Sequence, residues 1–299
     1  MISIDVASRI LEITFPIFAI VAVGFIYGWY KKPDLTVTNK INIDVFIPAL
    51  MFSVLVERGN DAQIFSQLGL GTTLIIICTG LICYITARLI HMSPRTLCPT
   101  IMFGNAGNLG LPLILLSFGE QALATAVVIF VITNFLHVSI GSYLMGRETN
   151  FLEIIKTPML IAVLLALVVN YSPISIPSLI LTPISMMGSI CVPLMLFALG
   201  VRLLDTPIKE WRIGLLAAIL APVSGIAIAF IVIQFLDLTP IQQGSLFLFG
   251  ALPPAVLNFM FAEHFKQEPG KVAAMVLYGN AFSIITIPLA LAYVIPRFA

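Results

Sequence analysis

Phe103-Gly104-Asn105-Ala106-Gly107-Asn108-Leu109-Gly110-Leu111-Pro112 sits in the middle of a run that carries no charge from Thr96 to Gly119. A second interruption, Phe249-Gly250-Ala251-Leu252-Pro253-Pro254, sits in the uncharged run Leu238–Ala262. Their Phe-Gly pairs stand 146 residues apart in a chain of 299. Glycine and proline at mid-span interrupt a helix, and backbone groups freed inside a bilayer must find partners in protein or face a cavity. Interrupted segments at matching places in two halves mark the binding site of a secondary transporter.

Composition agrees. The chain is 60% hydrophobic and only 10% charged, which excludes an ordinary soluble domain. Uncharged runs of spanning length occur at Ile13–Tyr30, Ala62–Ala87, Thr96–Gly119, Gln121–Gly146, Ile213–Leu236, Leu238–Ala262 and Val272–Pro296. The run Thr157–Val201 is too long for one span, and the turn Asn170-Tyr171-Ser172-Pro173 splits it in two. A further span, about Ile41–Val56, holds Asp44 and Pro48. The expectation is an all-α polytopic membrane protein of ten helices with short loops.

Lysine and arginine orient it. The odd-numbered loops hold twelve of them, and the even loops and both ends hold three, Arg9, Arg58 and Arg297. The positive-inside rule places the odd loops, including Arg147–Lys156, in the cytoplasm, and the termini and the Asn170–Ser178 turn outside. The first span lacks a basic n-region and is not expected to be a signal peptide. Near-neutral net charge, with no basic cluster, gives no reason to expect nucleic acid as a partner. Cys78, Cys83, Cys98 and Cys191 show no metal or redox spacing, so neither metal nor cofactor is expected.

The halves match beyond the breaks. Phe46-Ile47-Pro48-Ala49-Leu50-Met51-Phe52 resembles Cys191-Val192-Pro193-Leu194-Met195-Leu196-Phe197, and Asn134 falls 146 positions before Asn280. Thr14-Phe15-Pro16 and Lys156-Thr157-Pro158 open the first and sixth spans. Five spans per half is an odd number, so residues 1–150 and 151–299 would insert with opposite orientation, an inverted-topology repeat.

The string Gly104-Asn105-Ala106-Gly107-Asn108-Leu109-Gly110-Leu111-Pro112, the second break at Pro253-Pro254, and Pro48-Ala49-Leu50 with Phe52 resemble the auxin efflux carrier family, in its short bacterial form, over essentially the whole chain. The resemblance implies crossed, broken helices four and nine, as in sodium–proton antiporters and bile-acid symporters. It implies a mobile bundle of spans 3–5 and 8–10 working as an elevator against a scaffold of spans 1, 2, 6 and 7, with a dimer through that scaffold. It further implies carriage of malate, malonate, auxin-like acids or similar organic anions, across the bacterial inner membrane.

The residues support an anion. Proline suits the first turn of a helix, so the second halves of the two interrupted spans are expected to start near Pro112 and Pro254. Each would present free N–H groups and roughly half a positive charge to mid-membrane. Gly104, Gly107 and Gly110 would let a ligand approach the backbone. Asn105 and Asn108 would donate to a carboxylate or satisfy broken backbone, in a site without a basic side chain. Asn258, one turn past Pro254, is placed equally as ligand contact or interhelical bond. Asn134 and Asn280 read as props beside the crossings. Met51, Ser53 and Met195 lie at the same depth, with scaffold packing the favoured reading. Asp44 is a proton-site candidate or a carboxylate paired with Lys40. His137 is a titrating candidate or a satisfied packing residue.

Other classes fit less well. A hard cation wants carboxylate oxygens, and neither broken run holds one, although sodium can still be held by carbonyl and amide oxygens. An intramembrane enzyme needs paired Asp, Ser–His or H-E-x-x-H, whereas His91, His137 and His264 are scattered. A non-transporting receptor of the same fold would differ only by lacking flux. Proton or sodium coupling stays open.

Overall fold

The computed structural model describes residues 4–58, 62–146, 155–172, 175–205 and 210–299. The proposed repeat boundary at 150/151, with Arg147, Pro173 and Lys209, lies outside them. The described helices are α1 (Ile4–Lys31), α2 (Thr36–Glu57), α3 (Ala62–Leu89), α4 (Pro94–Met102), α5 (Ala106–Phe118), α6 (Glu120–Leu144), α7 (Pro158–Asn170), α8 (Ser178–Arg202), α9 (Trp211–Val232), α10 (Pro240–Gly250), α11 (Leu257–His264) and α12 (Pro269–Phe298). Among the described residues there is no strand. Seven helices, α1, α2, α3, α6, α8, α9 and α12, are long and apolar enough to cross a membrane. The chain is an integral membrane protein.

Local chemistry sets the ends. Pro94, Pro158, Pro240 and Pro269 each open a helix, where a missing N–H costs nothing. Thr239 and Gln242 form a reciprocal capping box at the start of α10, the Gln242 side chain accepting from Thr239 N–H at 2.9 Å. Gly119, at φ 77°, ends α5 in a conformation that other residues resist. The Asp34 carboxylate accepts from Thr36 N–H at 2.8 Å and starts α2 at Thr36, more than a turn before the expected Ile41. Pro48 cannot donate to the carbonyl one turn before it, and Asn42–Phe46 widens into a π-helical turn. α1 likewise begins earlier than the uncharged run implied, and its exposed Arg9 and Glu12 pair at 3.2 Å.

Helices in lipid gain little from burying apolar side chains against one another, so close backbone approach decides which pack. α1 lies along α8, where a Cβ on Gly24 would stand 2.1 Å from Phe197 O and one on Gly200 2.0 Å from Val21 O. α2 packs on α7 and α8, α3 on α4, α6 and α9, and α9 on α10 and α12. Large apolar residues such as Phe15, Leu165 and Leu179 stay exposed on the outer faces, as lipid-facing positions should.

Candidate functional site

The two interrupted segments, α4–α5 and α10–α11, meet at their breaks. Asn105 N–H donates to Pro253 O at 2.8 Å and Ala255 N–H donates to Phe103 O at 3.0 Å. These bonds make a short antiparallel bridge between Gly104 and Pro254. Each break thus satisfies backbone that the other has freed, which a bilayer interior requires.

Asparagines finish the junction. Asn105 Nδ2 donates to Asn280 Oδ1 at 3.1 Å, and Asn280 Nδ2 donates to Pro254 O at 3.0 Å and Val276 O at 2.8 Å. Asn258 Nδ2 donates to Thr100 O at 3.3 Å and Phe103 O at 3.1 Å, carbonyls that the end of α4 leaves without helical partners. That fixes its amide, so Asn258 Oδ1 accepts from His137 Nε2 at 2.8 Å. The His137 ring stacks on Phe103 at 4.3 Å and meets the edge of Phe261 at 5.2 Å. His137 is therefore a satisfied, buried packing residue at the junction, with one edge on the cavity described next.

The helix starts differ from expectation. After Asn105 the chain resumes helix at once, as a π-helical turn Ala106–Gly110 that runs into Leu111–Phe118. The first-turn N–H groups at mid-membrane are therefore those near Gly107 and Asn108, and Pro112 lies a turn deeper. On the other side Pro254 belongs to the extended bridge, and helix begins at Leu257. Pro112 thus keeps a first-turn position in the α-helical segment, whereas Pro254 marks the break.

A cavity of about 670 Å³ opens beside the junction. Its wall includes Gly104, Asn105, Gly107 and Asn108 from the first break and Ala255–Leu257 from the second. α6 contributes Phe130, Thr133, Asn134 and His137, and α8 contributes Met195. Asn108 is half-buried, and its amide has no hydrogen bond among the described residues. Asn134, expected as a prop, lies on the wall with only a long 3.5 Å bond to Phe130 O. Gly110, Pro112, Pro253, Pro254, Asn258 and Asn280 are not on it. Met51 and Ser53 are buried away from it in packing, Ser53 bonding Leu50 O at 3.3 Å.

The cavity does have basic side chains: Lys40, near the start of α2, and Arg202, at the end of α8, line it together with Asp44. Arg202 Nη1 also lies 3.7 Å from Met260 Sδ, another lining residue. Both cations read as loop charges in the sequence. The Asp34–Thr36 hydrogen bond at the early start of α2 is the local signal that draws Lys40 into the helix that already held Asp44. The expected Asp44–Lys40 pair does not form, and Asp44 has no ion pair among the described residues. No three His, Cys, Asp or Glu side chains come together among the described residues.

Comparison with known proteins agrees with this architecture. The family model described as "Membrane transport protein" matches residues 9–151 and 147–291. An uncharacterized transporter of Methanocaldococcus jannaschii is 24% identical, over 93% of this chain and 97% of that protein.

Proposed function

The chain belongs to the auxin efflux carrier family of membrane transport proteins, and we propose that it carries small organic anions, mono- or dicarboxylates such as malate, malonate or auxin-like acids. In this reading the interrupted pairs α4–α5 and α10–α11 count as one crossing each and α7 as another, which makes ten with the seven long helices. The two matched stretches, one per half, support the inverted repeat.

The observation that carries the anion reading is the first turn of α5, where Gly107 and Asn108 line the cavity and the Asn108 amide has no hydrogen bond among the described residues. Partial charge at a helix start favours an anion by about 0.3–1 kcal/mol, and up to ~2 when partly buried. Hydrogen bonds to a charged group add roughly 1.5–3 kcal/mol each. Lys40, which lines the same cavity, would receive a second carboxylate, as a dicarboxylate requires. Among the described residues a hard cation would find Asp44 as the one lining carboxylate, because neither break contributes an acid.

Elevator motion is supported by the distribution of close contacts. Glycines that bring backbones together join α1 to α8 and α2 to α8, or join α9 to α10 and to α12. The first set belongs to the proposed scaffold and the second to the proposed bundle. Between the groups the tight glycine contact is Gly107, where an added Cβ would stand 2.7 Å from Met195 Cε, the end of a flexible side chain. A dimer through the scaffold helices is part of the same proposal.

Asp44, on the cavity wall without an ion pair among the described residues, favours a second reading in which a proton couples to transport. Uptake into sealed proteoliposomes, comparing a carboxylate with its uncharged amide under imposed proton or sodium gradients, tests both. Equal handling of acid and amide would overturn the anion site. Binding without flux would make the protein a receptor.

A further inference from the structure

A second cavity, about 530 Å³, lies between the end of α3, the start of α4 and the end of α6. All three are ends of apolar helices, so it sits at the depth of the membrane–water interface. Tyr84, Arg88, Arg95 and Tyr143 line it, with Pro94 opening α4 beside them. It shares no residue with the transport cavity.

Its chemistry is one-sided. Arg88 Nη2 and Nε donate to Tyr84 Oη at 2.9 and 3.2 Å, and the guanidinium carbon lies 5.2 Å from the Tyr84 ring centre. Three of the five Arg88 N–H donors remain, and Tyr84, which accepts from Arg88, keeps its hydroxyl hydrogen to donate. Neither Arg88 nor Arg95 has a carboxylate within ion-pair distance among the described residues. Glu268, which reaches the same helix start, is held by Thr96 at 2.6 Å and by Lys271. Among the described residues, two cations, Arg88 held by Tyr84 and the exposed Arg95, thus face one space with no counter-charge. Guanidinium forks match the paired oxygens of a phosphate.

The outer face of α3 indicates the source of that phosphate. Leu81, Tyr84, Ile85 and Arg88 repeat at helical spacing on one exposed face. Arginine and tyrosine thus stand at headgroup depth above apolar side chains at acyl depth. We propose that this cavity binds the phosphate of an anionic phospholipid, with the acyl chain lying along Leu81 and Ile85. The site is independent of the transport reading, since it uses none of its residues.

The test is binding of phosphatidylglycerol against phosphatidylcholine to the purified full chain, by native mass spectrometry and thermal shift, in the wild type and in Arg88→Gln/Arg95→Gln. A basic residue near an anionic headgroup is worth about 1 kcal/mol, or about fivefold, so the double variant should bind phosphatidylglycerol roughly twenty- to thirtyfold more weakly. Arg88→Lys/Arg95→Lys should recover part of that and shows that the variants fold. Unchanged phosphatidylglycerol binding in the Gln variant would overturn the site, as would equal binding of the two lipids. Inorganic phosphate producing the same arginine-dependent shift without lipid would overturn the lipid source.

Discussion

Asn105 and Asn280, 175 positions apart in sequence, share a buried hydrogen bond of 3.1 Å at the point where the two breaks meet. The bond links the first half's interruption to α12, and Asn280 carries it on to the Pro254 carbonyl of the second interruption. Both residues are nearly fully buried. The pair therefore sets the geometry of the junction, and through Asn105 it sets one side of the cavity.

Asn280→Asp removes both donors to Pro254 O and Val276 O and turns a carboxylate toward those carbonyls. Leaving a buried acceptor unpaired costs about 1–3 kcal/mol. The variant should melt several degrees lower in detergent and lose uptake along with the folded fraction. Asn134→Asp, at the matching place in the other half, should leave the melting temperature within about a degree, because Asn134 makes only the 3.5 Å contact with Phe130 O. Equal melting temperatures for the two variants would remove the distinction.

That contrast marks what the residues alone reveal. Gly104, Pro253 and Pro254 announce the breaks because their backbone chemistry forbids continuous helix whatever surrounds them. Asn134 and Asn280 carry the same letter at the same offset, yet one faces a cavity and the other braces Pro254, and only tertiary contacts separate them. Pro112 announces the α-helical segment that it opens, but not the π-helical turn from Ala106, which tolerates Gly107 and Gly110 once Asn105 O accepts from Leu109 and Gly110 N–H groups, at 3.2 and 2.9 Å. Lys40 and Arg202 look like loop charges in the sequence, since no periodicity in either segment reports that α2 and α8 converge on one cavity.

Gly107→Ala tests the sliding contact. The new methyl would meet Met195 Cε and the Phe130 ring, each 2.7 Å from the ideal Cβ position. Uptake should fall, by about tenfold for a barrier raised 1.4 kcal/mol, with substrate binding less affected. Gly107→Ala/Met195→Ala should recover much of the rate, as expected for neighbours that share space. Slow transport in the double variant with normal folding would show that Gly107 acts through something other than Met195.

Orientation is open to labelling. With the four native cysteines replaced, exposed Lys31→Cys at the end of α1 should resist an impermeant maleimide in intact cells. Exposed Ser175→Cys, before α8, should react. The uneven distribution of lysine and arginine motivates the assignment. Reversed accessibility at both sites would invert the protein in the membrane.

The sharpest expectation concerns Asn108, because the structure separates it from Asn105. Asn105 is tied to Asn280, so Asn105→Asp disturbs the junction and confounds binding with stability. Asn108 is half-buried on the cavity wall at the start of α5, and its amide has no hydrogen bond among the described residues. Asn108→Asp would place a negative charge where the ligand carboxylate belongs, and beside a helix start that itself favours the new charge. Folding should therefore be unchanged or slightly improved while carboxylate uptake is abolished. Asn108→Ala removes one hydrogen bond to a charged group, about 1.5–3 kcal/mol, and should weaken binding roughly ten- to a hundredfold. The two variants measured together, by melting temperature and by carboxylate binding, separate electrostatic exclusion from loss of fold. Wild-type binding in Asn108→Asp would move the anion away from the first turn of α5.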